Sequence, residues 1–168
     1  MFIQIILLIT VVISLVTDLK NRKILNIVTL PAIMIGFVYY SVTLGWEGFQ
    51  FSGLGFLLGF FVLLIPYLLG GMGAGDVKLM AAIGALMGAS FVFYSFVFTA
   101  LIGGIISVIL IVKKYGFVYS LRSFLINIVF LKGIFTSLKN ADKNSSIVFP
   151  YGVAITIGTL SAYVWGGF

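Results

Sequence analysis

Residues 2–26 read FIQIILLITVVISLVTDLKNRKILN, and this stretch indicates the fold class. Its first part, 2–17, is almost entirely apolar and predicts a membrane helix. Asp18 ends the apolar run, and lysine and arginine dominate the charges that follow it. No lysine or arginine precedes the run and no small-residue cleavage site follows it, so we expect a retained N-terminal helix rather than a removed signal peptide.

The composition supports the same class for the whole chain. Hydrophobic types make up 62% of the 168 residues and charged types only 8%. A soluble domain of this size needs more charged surface, so the chain is predicted to be an all-α, polytopic membrane helical bundle forming one domain over 1–168. Cysteine and histidine are absent from the sequence, which excludes disulfides, thiolate metal sites and histidine bases. We therefore expect no metal and no cofactor.

Further apolar runs predict five more spans. Their approximate limits are 27–44, 51–69, 77–89, 91–112 and 147–168. Together with the first run they make about six transmembrane helices. The segment 115–131 has apolar residues on one helical face, which predicts an amphipathic helix lying in the membrane interface. A tilted seventh span is the alternative for that segment.

The basic residues determine the predicted orientation. All ten fall within three segments, 18–26, 70–78 and 113–146, whereas the opposite side of a six-span arrangement has only Glu47. Because cytoplasmic loops are enriched in lysine and arginine, these segments are predicted to be cytoplasmic, with both termini outside. The basic residues lie at the ends of apolar runs, which favours contact with the lipid bilayer over binding of nucleic acid.

Two carboxylates fall at the same predicted depth. Asp18 follows the first span and Asp76 begins the fourth, both at the cytoplasmic edge. Two carboxyl groups that share a site and one proton can activate water, as in aspartic proteases, without histidine or metal. Asp76, near a helix N-terminus, is the hypothesised ionised partner at rest. The alternatives are that both aspartates only cap helices in a scaffold protein, or that they relay protons in a small ion carrier.

Several glycines precede the second aspartate, in GGMGAGDVK at 70–78. Gly73 and Gly75 are predicted to leave room for a substrate backbone beside the carboxylate, because glycine tolerates unusual dihedrals and close approach. A tight turn or close helix packing is the structural alternative. Gly84 and Gly88 have the spacing of a helix-packing pair.

Three segments carry a resemblance to a known family. GAGD at 73–76 matches the GxGD motif of membrane aspartyl proteases. TDLKNRKILN at 17–26 and GAGDVKLMAAIGALMG at 73–88 resemble the two aspartate segments of type IV prepilin peptidases, and PYGVAITIG at 150–158 is similar to the last span of the short Flp/Tad-type members.

The resemblance implies a membrane aspartic endopeptidase. Its expected substrate is a prepilin or pseudopilin, whose basic leader it would remove at the cytoplasmic face of the cell membrane, in pilus assembly or protein secretion. Asp18 and Asp76 would be the catalytic pair. Gly73 and Gly75 would shape the substrate loop, and Asn26 and Lys78 are motif positions without an assigned role.

The chain also departs from larger members of that family. It has a short loop after the first span and no paired CxxC motifs, so peptidase activity is expected without methyltransferase activity. Archaeal preflagellin peptidases are near neighbours of this family, and the residues leave them open as an alternative. The apolar faces leave room for a homodimer.

Overall fold

The structure is a computed structural model and describes residues 1–115 and 151–166. Within these ranges it is all-helical, without strands. Its helices are α1 (Phe2–Asn21), α2 (Asn26–Leu68), α3 (Ala74–Tyr115) and α4 (Tyr151–Gly166). By length and composition, α1, α2 and α3 can cross a membrane. These apolar helices confirm the predicted class of helical membrane protein.

α2 folds back on itself at Gly45. That residue alone within α2 has non-helical dihedrals, with φ 60° and ψ −133°. The rings of Phe37 and Phe56, one on each side of the break, lie 6.0 Å apart. In a straight helix they would be separated by roughly 28 Å. The predicted loop at 45–50 is therefore wrong, because the chain reverses at one glycine and both arms remain helical.

α3 is interrupted in the same way at Gly88, where φ is 83° and ψ is 175°. Its first arm forms the centre of the bundle, and its apolar side chains are almost completely inaccessible to solvent. These residues are Val77, Leu79, Met80, Ala81, Ala82, Ile83, Ala85 and Leu86. The second arm bonds to α4, where the hydroxyls of Ser95 and Thr159 lie 2.8 Å apart.

Glycine allows α2 to approach this central arm closely. A Cβ on Gly55 would collide with the carbonyl of Gly84, and one on Gly36 would lie 2.6 Å from the carbonyl oxygen of Ala85. The Ser52 hydroxyl also donates to the Ala85 carbonyl at 2.8 Å. The predicted packing role of Gly84 is confirmed. Gly88 also packs closely, because a Cβ there would collide with the Phe51 ring, and it is in addition the break in α3.

Other expectations about architecture have mixed outcomes. The count of six spans is not supported by the described helices, because three are long and apolar enough to cross a membrane and α4 has 16 residues. The predicted cytoplasmic segment 113–146 begins within α3, which continues to Tyr115. The rest of that segment, with the predicted interfacial helix at 115–131 apart from Tyr115, lies outside the described residues. By packing, the chain divides into two units, Met1–Ile102 with Pro150–Phe168 and Gly103–Phe149. Everything below concerns the first unit.

The close contact between α2 and α3 predicts opposite effects of one substitution at two neighbouring glycines. Gly55→Ala should destabilise the protein by about 1–3 kcal/mol, because its methyl group enters the Gly84 backbone. Gly53→Ala should be neutral or stabilising, because its methyl group meets only a Phe37 ring carbon at 3.8 Å and alanine favours helix. Unfolding of the purified chain in detergent measures both. Equal effects of the two variants would contradict the contact.

Candidate active site

Asp18 lies inside the last turn of α1, not after its end. The helix continues to Asn21, and Arg22 closes it in a left-handed conformation with φ 52°. The Arg22 N–H donates to the Asp18 carbonyl at 2.7 Å. The Asp18 side chain is 8% exposed, and its Oδ2 accepts the N–H of Gly152 at 3.1 Å. A residue 134 positions away in sequence therefore orients this carboxylate.

Asp76 lies in the first turn of α3, which begins at Ala74. Its Oδ2 accepts the N–H of Gly73, the residue before the helix, at 3.1 Å. This bond is one half of a capping box, in which the third helical residue satisfies the free N–H at the cap position. The side chain is 7% exposed. The predicted loop at 70–78 is therefore shorter than expected, because its last residues already belong to α3.

Both carboxylates line the same cavity of about 350 Å³. The remaining lining comes from the connection between α1 and α2 and from the start of α3. These residues are Arg22, Lys23, Ile24, Leu25, Asn26, Gly73, Ala74 and Gly75. The Asp18 and Asp76 carboxyls are close enough to interact electrostatically. The structure thus brings the predicted pair together, and their catalytic role stays a prediction.

The helix ends do not distinguish the two carboxylates as the sequence suggested. The sequence places Asp76 near a helix N-terminus, which favours its charged form, and Asp18 at the C-terminal end of the first span, which disfavours the charged form. In the structure Asp18 also accepts an N–H from the first turn of a helix, because Gly152 is the second residue of α4. Each aspartate therefore meets the positive end of one helix dipole. Asp18 also lies in the last turn of α1, so the hypothesis that Asp76 is the ionised partner at rest stays a prediction.

The two loop glycines have different surroundings. Gly75 faces the chain's own connection, and a Cβ there would lie 2.9 Å from the Cβ of Ile24. This contact explains the glycine without a substrate. Gly73 lines the cavity and donates its N–H to Asp76. A Cβ on Gly73 would meet only two atoms within 4 Å, the Asp76 Oδ2 at 3.4 Å and the Gly75 nitrogen. Their predicted role towards a substrate stays a prediction.

Asn26 and Lys78, the motif positions without a role, contact each other. The Lys78 ammonium donates to the Asn26 Oδ1 at 3.0 Å, which joins the start of α2 to the start of α3. Asn26 lines the cavity and Lys78 does not.

Sequence reasoning missed the part that α4 plays in the site. Gly152 holds Asp18, and Tyr151 interacts electrostatically with Asp76. The signal was present, because both residues belong to the PYGVAITIG motif. Within residues 1–115 and 151–166, histidine, cysteine, aspartate and glutamate form no cluster of three that could hold a metal.

A helical membrane protein with two buried carboxylates in one cavity is the class that this fold and site define. The family model described as type IV leader peptidase family matches residues 5–108, which is more than half of the chain. The chain therefore belongs to the type IV leader peptidase family, as its motifs predicted. Comparison with curated proteins and with solved structures gave no significant match.

The bond between Gly152 and Asp18 predicts a sensitive position outside the family match. In Gly152→Ala, the new Cβ would lie 2.5 Å from the Asp18 Oδ2, so the carboxylate must move. Peptidase activity should fall at least about tenfold, because small misplacements of catalytic groups are costly. Gly53→Ala is the control. Unchanged cleavage by a folded Gly152→Ala protein would show that this orientation of Asp18 is unimportant.

Proposed function

We propose that this peptidase is an aspartic endopeptidase that removes the leader of prepilin-like proteins. The observation that carries the proposal is the meeting of Asp18 and Asp76 in one cavity, each oriented by a backbone N–H. Membership of the leader peptidase family supports the substrate class. The described residues contain no histidine or cysteine that could serve as an alternative base or nucleophile.

The proposed reaction uses the two carboxyl groups as one acid–base pair. The ionised carboxylate takes a proton from water as its oxygen attacks the scissile carbonyl carbon, and the protonated partner donates a hydrogen bond to the carbonyl oxygen. Breakdown of the tetrahedral species returns a proton to the leaving amine. The proposed reaction requires the two carboxyl groups to share one proton, and a pair that does so titrates as a unit. The Gly73 and Gly152 N–H groups keep the oxygens oriented throughout.

The surroundings of the cavity favour recognition of the apolar part of the substrate. Arg22 and Lys23 line the cavity, so a basic leader gains little attraction there. Contacts between the stalk helix of the substrate and the membrane helices of the enzyme are therefore the proposed main source of affinity. A cut beside an apolar helix also suits a site at the ends of α1 and α3, near the membrane edge.

We extend the proposal to topology. α2 has 43 residues and would be about 64 Å long if straight, roughly twice the hydrocarbon thickness. Its reversal at Gly45 and the break at Gly88 support two crossings for α2 and two for α3. α4, with 16 residues, is about 24 Å long and would cross only where the bilayer thins to match it; counted in this way with α1, it brings the proposed number of crossings to six. The connection at 22–25 and the loop at 69–73 then face the cytoplasm of the cell membrane, and the active site with them.

The aspartates are tested by co-expression with a prepilin substrate in cells. Wild-type protein should shift the substrate to its processed mobility. Asp18→Asn and Asp76→Asn should each lower the cleavage rate by at least about 1,000-fold, because neither asparagine can exchange a proton with water. Glu47→Gln is the matched control, since this exposed carboxylate lies outside the cavity.

The outcomes of that experiment separate the candidate functions. Processing that survives both aspartate substitutions would contradict the acid–base pair and favour helix capping. Processing of preflagellins but not of prepilins would assign the enzyme to the archaeal type. Absence of methylation on the cleaved product is expected, and mass spectrometry of its N-terminus measures this.

The topology is tested by single cysteines, since the chain has none of its own. Glu47→Cys should react with an impermeant maleimide added to intact cells, because two crossings of α2 place it outside. Lys23→Cys should react only after the membrane is opened. Labelling of both positions in intact cells would contradict six crossings.

A further inference from the structure

We propose that Lys78 and Asn26 form a polar clamp that holds the Asp76 segment against the Asp18 segment, which makes both positioning residues for the peptidase reaction. The effect of the clamp on peptidase activity rests on the proposed function, whereas the contact between the two residues is present in the structure. The Lys78 Nζ lies 3.0 Å from the Asn26 Oδ1, and the two residues are 52 positions apart.

The direction of the Lys78 side chain excludes a direct contact with the Asp76 carboxylate. Lysine two residues after an aspartate on a helix points to a different side, because only residues three or four apart face each other. Lys78 therefore reaches away from the Asp76 carboxylate and towards the start of α2. Its ammonium meets a neutral amide oxygen there, which is the acceptor a lysine can bind without neutralising a catalytic charge.

The clamp acts beside a second contact between the same two segments, which are residues 22–26 after α1 and residues 73–78 at the start of α3. Ile24 packs against Gly75, and Asn26 bonds to Lys78. The first segment follows Asp18 directly and contributes five of the ten residues around the cavity, from Arg22 to Asn26. The second begins α3 and includes Asp76. The two contacts therefore set the spacing between the walls of the cavity.

Because the clamp lies at the protein surface, its loss should lower peptidase activity with little change in the stability of the fold. The bond is exposed, so water replaces it readily and the fold loses little when it is broken. The connection at 23–25 lies outside the helices, and its Leu25 end is held by the Val28 and Thr29 N–H groups, which donate to the Leu25 carbonyl. Loss of the bond should therefore loosen one wall of the cavity while the bundle stays folded.

Lys20 provides a matched control. It follows Asp18 by two residues, as Lys78 follows Asp76, and it is exposed. In the part of the chain that the structure describes, its side chain has no hydrogen bond or ion pair. A general need for positive charge beside the membrane would affect both lysines, whereas the clamp involves Lys78 only.

The activity test is a double-mutant cycle on the full chain in lipid nanodiscs, with a prepilin as substrate. Lys78→Met and Asn26→Leu should each lower kcat about tenfold with little change in KM, and the double variant should be no worse than either one. Lys78→Arg keeps a donor and should retain most of the activity. Lys20→Met should match wild type, and all variants should unfold at the same temperature.

Three results would overturn the clamp. Losses that multiply in the double variant would show that the two residues act independently. A silent Asn26→Leu together with a Lys78→Met defect confined to anionic lipid would show that Lys78 binds headgroups. A Lys20→Met defect equal to that of Lys78→Met would indicate a general charge effect.

A second measurement does not depend on peptidase activity. Spin labels on Lys23→Cys and Ala74→Cys, which are exposed positions on the two segments, report the distance across the cavity mouth. The distribution should broaden when Lys78→Met is added and remain narrow with Lys20→Met. An unchanged distribution would overturn the clamp even in an active enzyme. If Lys78→Met broadens the distance distribution but the wild-type protein cleaves no prepilin, the clamp is supported and the proposed function is rejected.

Discussion

Backbone contact between α2 and α3 at Gly55 and Gly84 is the constraint on which the bundle depends. Without side chains in between, the two helices approach closely enough for the first arm of α3 to become the innermost element. Its apolar residues from Val77 to Leu86 are therefore buried by the helices around it. Asp76 starts this arm, so its burial follows from the position of the helix and not from a local preference.

The same arrangement explains why both carboxylates bond to helix N-termini. Free N–H groups at the start of a helix need acceptors, and the need is greatest where water is scarce. Asp76 accepts the Gly73 N–H at the start of its own helix, and Asp18 accepts the Gly152 N–H at the start of α4. These bonds stabilise the helix ends and also restrict the rotation of the carboxylates. A capping role for the two aspartates is therefore compatible with the catalytic role proposed for them.

Much of this protein is readable in its sequence, for identifiable reasons. Apolar runs with few charges predict membrane helices, because each residue's burial in lipid depends on its own chemistry. The motifs around Asp18 and Asp76 predicted the family that the comparison shows. Asn26 and Lys78 belong to the family motifs, although nothing in their spacing indicates that they meet. The helix ends were less well predicted, because α1 continues past Asp18 and α3 begins before Asp76.

What the sequence alone determined is therefore the class of fold, the family and the two aspartates. Only the tertiary structure decided the reversal of α2 at Gly45, the donor from Gly152 to Asp18, and the bond between Lys78 and Asn26. The physical reason is the distance along the chain over which each signal acts. Hydropathy and periodicity report the environment of each segment, whereas a hydrogen bond across 134 residues exists only after close packing has brought two helices together.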